Sequence, residues 1–589
     1  MPPLAKSENV CTGCRSRKKK CDGKRPCCSS CLRRGEICLY SVFLVAPAWS
    51  FVVGSNPGLN LDFENGTIPT NIEPQQPPTP IQFPGIEIPS EYTPPNSLGF
   101  TNTITFGDSQ GTQEEHPDSS SVGSRQPISL PQPRVLRELI DMFFEKIYDY
   151  IPVIHKPQFL AELNEKGLEG CSQMLLFAIC AVSAGRHTNP SIRESQRNWY
   201  DVARESVSKS LHSPGDLLAT LQTAVLVIYQ ATIFIEYSTS WLLVGDAWRI
   251  AVVTGCARLD ENRRSTPTKL ESEVLNSWIK KEECRRALWT LFIFDRGLCS
   301  LDLALAIDDR QLDINLPMAD HMFSGEDEPM GIESIRYTPN VDKLMDKMEK
   351  ESHLDNNTNI RQFIVAAHML LGRIGSEIYQ DKFDYTEDTS LLDSLSASLI
   401  RLRLLIPQEA TELSFADSRD FNLVIWLKAI MTANAIFLYH QPLLDGESFG
   451  EPSGMSKNWS HCVAASRNLV AGLRDTCRSS TDFADNAFLA SLVYAGSRIL
   501  IIEYITSSGD TTSRESGNSS TTLAKNQNLK ADLDFLYHIF RHFKVSLGRL
   551  GEQFYDAFVH SMTLDEERSR AAKAGPLLDM LRICDRWPS

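Results

Sequence analysis

Long apolar runs are missing from the 589 residues, and no membrane span is expected. The longest, residues 42–53, holds twelve residues and is interrupted by Pro47, against the roughly 18 that a spanning helix needs. The start, Met-Pro-Pro-Leu-Ala-Lys-Ser-Glu, lacks a basic stretch followed by an apolar one, so no secretory leader and no disulfides are expected. Strand-type alternation is almost absent, which argues against a sheet-based body. Enzyme signatures are missing too: there is no zinc-protease helix, no Walker loop and no dinucleotide fingerprint in a strand–helix context. Gly107-Asp-Ser109-Gln-Gly111 fits the pattern of a nucleophile elbow, but it lies in a proline-rich stretch without the strand and helix that such an elbow needs. An enzyme is therefore not expected.

Positive charge is scarce overall, with 59 basic against 74 acidic residues and a net charge of −15. That balance would exclude a polyanionic partner if the charge were uniform. It is not uniform. Residues 1–41 carry ten basic side chains and three acids, a net +7, and the remaining 548 residues carry −22. Seven of the fifteen cysteines crowd into the same 41 residues. In a reducing compartment such a cluster points to metal before it points to disulfides.

Six of these cysteines, Cys11, Cys14, Cys21, Cys28, Cys31 and Cys38, read C-x2-C-x6-C-x6-C-x2-C-x6-C, the second half repeating the first at an offset of 17 residues. Zinc prefers four thiolates in a tetrahedron. Six ligands complete two tetrahedra only if two sulfurs are shared, so the repeat implies a binuclear cluster of two Zn2+. Choosing Cys27 instead of Cys28 would destroy the symmetry of the halves, so Cys28 reads as the ligand and Cys27 as a thiol that is free or packs beside the ligands. A redox pair at Cys11 and Cys14 is a rival for those two alone, but it leaves the other four unexplained.

The segment Cys11-Thr-Gly-Cys14-Arg-Ser-Arg-Lys-Lys-Lys-Cys21-Asp-Gly-Lys-Arg-Pro26-Cys-Cys28-Ser-Ser-Cys31, followed by six residues and Cys38, resembles the fungal binuclear zinc cluster of transcription factors. The resemblance implies Cys11 and Cys28 as bridging ligands and short helices starting near the first and fourth cysteines. It also implies that the first helix enters the major groove of double-stranded DNA and reads a CGG-type triplet through the lysine three residues before the third cysteine, here Lys18. Lysine reaching guanine O6 and N7 is chemically sound. Arg15, Arg17, Lys19 and Lys20 complete the basic face; Arg15, Arg17 and Lys20 suit phosphate contacts, which fix register without reading sequence. Nuclear localisation follows from the same reading.

Residues 42–134 read as an apolar and then proline-rich, acidic linker, largely disordered. Residues 55–134 hold 14 prolines, nine acids, two arginines and no lysine. A plain spacer is its default reading, though Phe63, Phe83, Tyr92, Phe100 and Phe106 are compatible with a contact segment. From Val135 onward the pattern becomes helical. Leu136, Leu139, Ile140, Phe143, Ile147 and Ile151 recur at spacings of three and four, predicting a helix that stops at Pro152. Further helices are predicted over 171–184, 196–211, 217–235, 240–256, 270–301, 360–379, 391–405, 421–439, 457–474, 485–505 and 529–559, with a Ser/Thr/Gly loop at 506–522.

Residues 139–159, 241–260, 282–317 and 433–444 resemble, in this order, the helical middle-homology regulatory domain that accompanies the zinc cluster in many fungal regulators. The expected architecture is mostly α: a zinc-nucleated DNA-binding domain at 1–41, the linker at 42–134, an all-α regulatory domain at 135–450 and C-terminal helices at 451–589. Within the body, Arg285, Arg286, Asp295 and Arg296 read as an ion-pair set, Asp308, Asp309 and Asp313 as loop and capping residues, and His155 and His440 as structural histidines. The aromatic-rich segments Trp241–Trp248 and Trp289–Phe294 are expected to pack in the core, with the lining of a ligand cavity as the alternative.

The expected function is a sequence-specific transcription factor of the RNA polymerase II type, acting with transcription machinery or co-regulators. The alternatives are a metabolite-sensing regulator, or a zinc-cluster protein working through protein contacts without reading DNA. Residues 39–61 carry no charge and include Pro47, Gly54 and Pro57, which excludes a heptad zipper there. Monomeric binding and a homodimer through the helical body both stay open.

Overall fold

The computed structural model describes residues 128–261, 276–299, 304–328, 334–352, 359–380, 389–440, 455–509, 519–575 and 577–581. The zinc-cluster segment and nearly all of the linker lie outside these residues, as does most of the loop expected at 506–522. What is described is a mostly helical body, as the sequence pattern predicts. Among the described residues the nearest approach to a sheet is one isolated bridge between Asn315 and Arg336.

The first helix, α1 (Pro133–Lys146), has proline in its opening turn, where the missing N–H costs nothing, and buries Leu136, Leu139, Ile140, Phe143 and Phe144. It ends five residues before Ile151. Proline at 152 disfavours helical geometry at the residue before it, and the amides of Ile147 and Tyr148 both turn back to the carbonyl of Phe143. Helix α2 (Lys156–Lys166) follows, capped by the His155 side chain, which accepts the amide of Gln158.

Helices α3 (Gln173–Ala184), α4 (Pro190–His212), α5 (Leu217–Ile233) and α6 (Tyr237–Val253) form the next layer. α3 and α5 are apolar nearly all round, the pattern of a helix with neighbours on every side, and α5 packs on α3, α4 and α6. Then come α7 (Trp278–Cys299), the short α8 (Asp320–Phe323), α9 (Val341–Ser352), α10 (Ile360–Ile374), α11 (Thr389–Leu405) and α12 (Phe421–Tyr439). α10 does not continue as an α-helix to 379. It passes into a π-helical turn at Gly375–Gln380.

The final group is α13 (Met455–Cys477), α14 (Ala487–Gly509), α15 (Ser519–Ser546), α16 (Arg549–Ser561), α17 (Glu566–Ala574) and α18 (Leu577–Leu581). α14 contacts α5, α12, α13, α15, α16 and α17, and one core runs from Leu136 to Met580. By length and composition alone, segments Ser418–Tyr439 and Ala487–Ser507 could cross a membrane, but their apolar windows are 83% and 72% buried in this core.

The single helix predicted over 529–559 is two. Gly548 adopts φ +54°, open to glycine and strained for other residues. A Cβ at Gly551 would stand 1.8 Å from the carbonyl oxygen of Phe543, so the absence of a side chain is what lets α16 fold back against α15.

Candidate functional site

The polar centre of the body is built on α7. Glu282, Arg285 and Arg286 occupy its early turns at spacings of three and four, so their side chains meet. Arg286, with a side chain 1% exposed, bonds Glu282 at 2.9 Å and Asp320 at 2.7 Å, and lies 4.1 Å above the ring of Phe323. Arg361 from α10 donates to the same Asp320 at 2.7 Å and to the carbonyl of Asp149. Burial would raise the Asp320 carboxyl, but the guanidiniums of Arg361 and Arg286 overcome it and hold the group well below its ordinary range. Arg285 grips Asp260 through two bonds of 2.8 and 2.7 Å, and Asp260 accepts the amide of Asn315.

A second clamp lies further along α7. Asp295 pairs with Arg296 and accepts the amides of Ala306 and Ile307, while Arg296 reaches Asp309, which accepts the hydroxyl of Tyr337. Together the two clamps fasten the irregular segment around 304–320 to α7 and α10. The arginines and aspartate singled out in the sequence are therefore an ion-pair set, as expected. Their partners Glu282, Asp320 and Arg361 escaped sequence reasoning, because two of the three come from distant elements. Asp308 accepts the amide of Arg310 as a cap, and Asp313 pairs with Arg336. Among the described residues no group of three or more His, Cys, Asp or Glu could hold a metal ion.

His155 caps α2 through Nδ1, with Nε2 3.0 Å from the carbonyl of Gly325. His440 is buried, and burial pushes its imidazole down to about 4. Trp248 and Trp289 are core residues, and the Trp289 indole donates to the carbonyl of Asn315 at 2.8 Å. Of the aromatics in the segments Trp241–Trp248 and Trp289–Phe294, Phe294 alone lines the apolar cavity of about 80 Å3 between the helices.

The expected metal ligands Cys11, Cys14, Cys21, Cys28, Cys31 and Cys38, and the expected DNA contacts Arg15, Arg17, Lys18, Lys19 and Lys20, all lie outside the described residues. Their donor chemistry fits the metal. Six thiolates and two divalent zincs sum to −2, and the ten basic side chains of residues 1–41 exceed that charge.

Residues 9–45 match the fungal Zn(2)-Cys(6) binuclear cluster domain, and residues 140–402 match the fungal specific transcription factor domain. Together these matches cover just over half of the chain. Among similar proteins, the Zn(2)-C6 fungal-type transcription factor FTF1a of Fusarium oxysporum f. sp. lycopersici is 22% identical over 588 residues, covering 90% of this chain and 51% of its own. The azaphilone cluster-specific transcription factor azaR of Aspergillus niger is 24% identical over 198 residues, 32% of this chain and 41% of its own. An uncharacterized transcriptional regulatory protein of Schizosaccharomyces pombe, C11D3.11c, is 23% identical over 268 residues, 41% of this chain and 72% of its own. The chain spans about half the length of the Fusarium relatives it matches. No solved structure matches.

Proposed function

The chain belongs to the fungal Zn(2)-C6 transcription factors, and from that premise we propose that it is a nuclear, sequence-specific DNA-binding regulator of RNA polymerase II transcription. The family is one of transcription factors, not of enzymes. The observation that carries the reading is the doubled C-x2-C-x6-C spacing with the run Arg15, Arg17, Lys18, Lys19, Lys20 placed before its third cysteine.

In this reading Cys11, Cys14, Cys21, Cys28, Cys31 and Cys38 hold two zinc ions, with Cys11 and Cys28 shared. Zinc, when bound, supplies folding free energy to a segment too short for a core of its own. Lys18 reads guanine edges in a CGG-type site. Arg15, Arg17 and Lys20 contact phosphates, and Lys19 adds to the basic field. The segment's +7 draws the duplex in, while the acidity of the remaining chain keeps the body off DNA. The helical body then serves as the regulatory part, with domain limits near 135–450 and 451–589.

A substitution series tests this division of labour on the zinc-loaded full chain. Lys18→Ala should lower affinity for a CGG duplex and compress its advantage over a scrambled duplex by about tenfold or more, the range of one lost base contact. Lys20→Ala should weaken both duplexes about equally and make the salt dependence shallower. A uniform loss for both variants would contradict the assignment.

A second reading, a regulator that senses a small molecule, is favoured by the apolar cavity lined by Phe294 and His368.

A further inference from the structure

The cavity of about 80 Å3 lies where seven helices meet. Its walls come from α5, α6, α7 and α10, inside the family-matched residues 140–402, and from α12, α14 and α16, beyond them. Phe294, Leu371, Ile430 and Phe554 are buried lining residues, whereas Phe488, Ser491 and Leu492 keep some exposure. No acid, lysine or arginine lines it. A charged ligand would lose its hydration there without a counter-charge, so the lining suits only a neutral one.

The hydroxyls and the imidazole of the lining each give a proton to an oxygen of the protein. The hydroxyl of Ser491 donates to the carbonyl of Phe488, and that of Tyr237 donates to the side-chain oxygen of Gln553. Thr232 has its hydroxyl 3.0 Å from the carbonyl of Ile228. His368, 2% exposed, has Nδ1 2.8 Å from the carbonyl of Ile364. A carbonyl only accepts, so Nδ1 carries the proton and Nε2 bears a lone pair. Burial pushes this imidazole down to about 4, which keeps it neutral at physiological pH. No described residue donates to Nε2 in the structure. Nε2 is not closed off within the core, and its ring lines the apolar cavity, so this acceptor is open to a donor that enters there.

We propose that this cavity binds a small neutral molecule of the aliphatic-alcohol class, its hydroxyl donating to His368 Nε2 and its apolar body resting against Phe294, Ile430 and Phe488. The volume sets the size. A dry cavity of about 150 Å3 accommodates the six ring atoms of benzene, so one of about 80 Å3 encloses roughly three non-hydrogen atoms, and a slightly longer molecule reaches the partly exposed side at Ser491 and Leu492. Because the walls come from both sides of residue 402, such a ligand bridges the family-matched helices and the C-terminal ones. This site does not depend on the DNA reading, and its failure would leave that reading untouched.

The test is a methyl and imidazole-nitrogen NMR titration of the full chain with isobutanol and with isopentane, in which a methyl replaces the hydroxyl. Isobutanol should shift the methyl resonances of Leu371 and Ile430 saturably and move His368 Nε2 towards its hydrogen-bonded position. Isopentane should move the methyls and leave Nε2 in place. Ser491→Leu, at a partly exposed lining position, should raise the isobutanol dissociation constant by tenfold or more. No saturable response to isobutanol would overturn the proposal. So would methyl shifts with Nε2 unmoved, or an Nε2 already hydrogen-bonded in the free protein and unchanged by isobutanol, the signature of a resident water.

Discussion

Glu283 offers the most direct route from this packing to a measurable pH dependence. It follows Glu282 on α7, yet its environment is the opposite. Glu282 is gripped by two arginines, whereas Glu283 accepts the amide of His155 at 2.7 Å and touches the Gln222 side chain. Burial pushes its carboxyl from 4.5 up to about 7, and the opposing influences of Glu162 and Lys280 are smaller. Between those two values the folded chain holds a proton that the unfolded chain has released. The folded state binds more protons there, so this group's contribution to stability is complete below pH 4.5 and is lost as pH rises through about 7. At about 1.4 kcal/mol per pH unit, the interval is worth on the order of 3 kcal/mol. Glu283→Gln keeps an oxygen to accept the His155 amide and removes the titration. Its stability relative to the parent should therefore rise by up to about 3 kcal/mol between pH 4.5 and 8. His155, His368 and His440 all have lowered imidazoles and contribute with the opposite sign, but they are present in both chains and cancel in the difference. Urea unfolding of both full chains at pH 4.5, 6, 7 and 8 reads the effect, and a difference that stays constant across this range would refute the reasoning.

Two buried arginines should respond in opposite ways to the same assay. Arg286→Met removes one of the two arginines that hold each of the carboxylates Glu282 and Asp320 and should cost about 3 kcal/mol, whereas Arg498 is 7% exposed, bonds the carbonyl of Met580, leaves Nη1 without a hydrogen bond and has no carboxylate partner among the described residues. Arg498→Met should therefore be neutral or stabilising, and a loss above about 1 kcal/mol would count against that reading. At the zinc cluster, native mass spectrometry should find two zincs per chain in Cys27→Ser and fewer in Cys28→Ser. The reverse pattern would exchange the roles assigned to those neighbours.

The legible parts of this protein are those whose information is local. Ligand number and spacing are written into a short run of cysteines, and an apolar helix such as Phe421–Tyr439 is visible with both ends in place. Helices α2 and α17 escaped because each buries a single residue, Phe159 and Ser569, and so carries no stripe. α9 buries Leu344, Met345 and Met348 within a run dominated by charge, which hid a true amphipathic helix. α4 begins earlier than its apolar pattern does, because Asn189 caps it and Pro190 opens it. The break at Gly548 was signalled by two glycines three residues apart, but periodicity alone ran through them. The cavity has no local signature. Its lining joins Thr232 to Phe554, and a lone histidine on the apolar face of α10 becomes informative only when its neighbours are in place.

The central claim is that a zinc-held basic segment reads DNA sequence. Equilibrium binding of the zinc-loaded full chain to a CGG-containing duplex and to a scrambled duplex of equal length, from 50 to 300 mM salt, addresses it most directly. Both affinities should fall steeply with salt as phosphate counterions are released, and the CGG duplex should bind tighter by about a thousandfold or more, the usual margin of specific over nonspecific binding. Equal affinities at every salt concentration would contradict the claim.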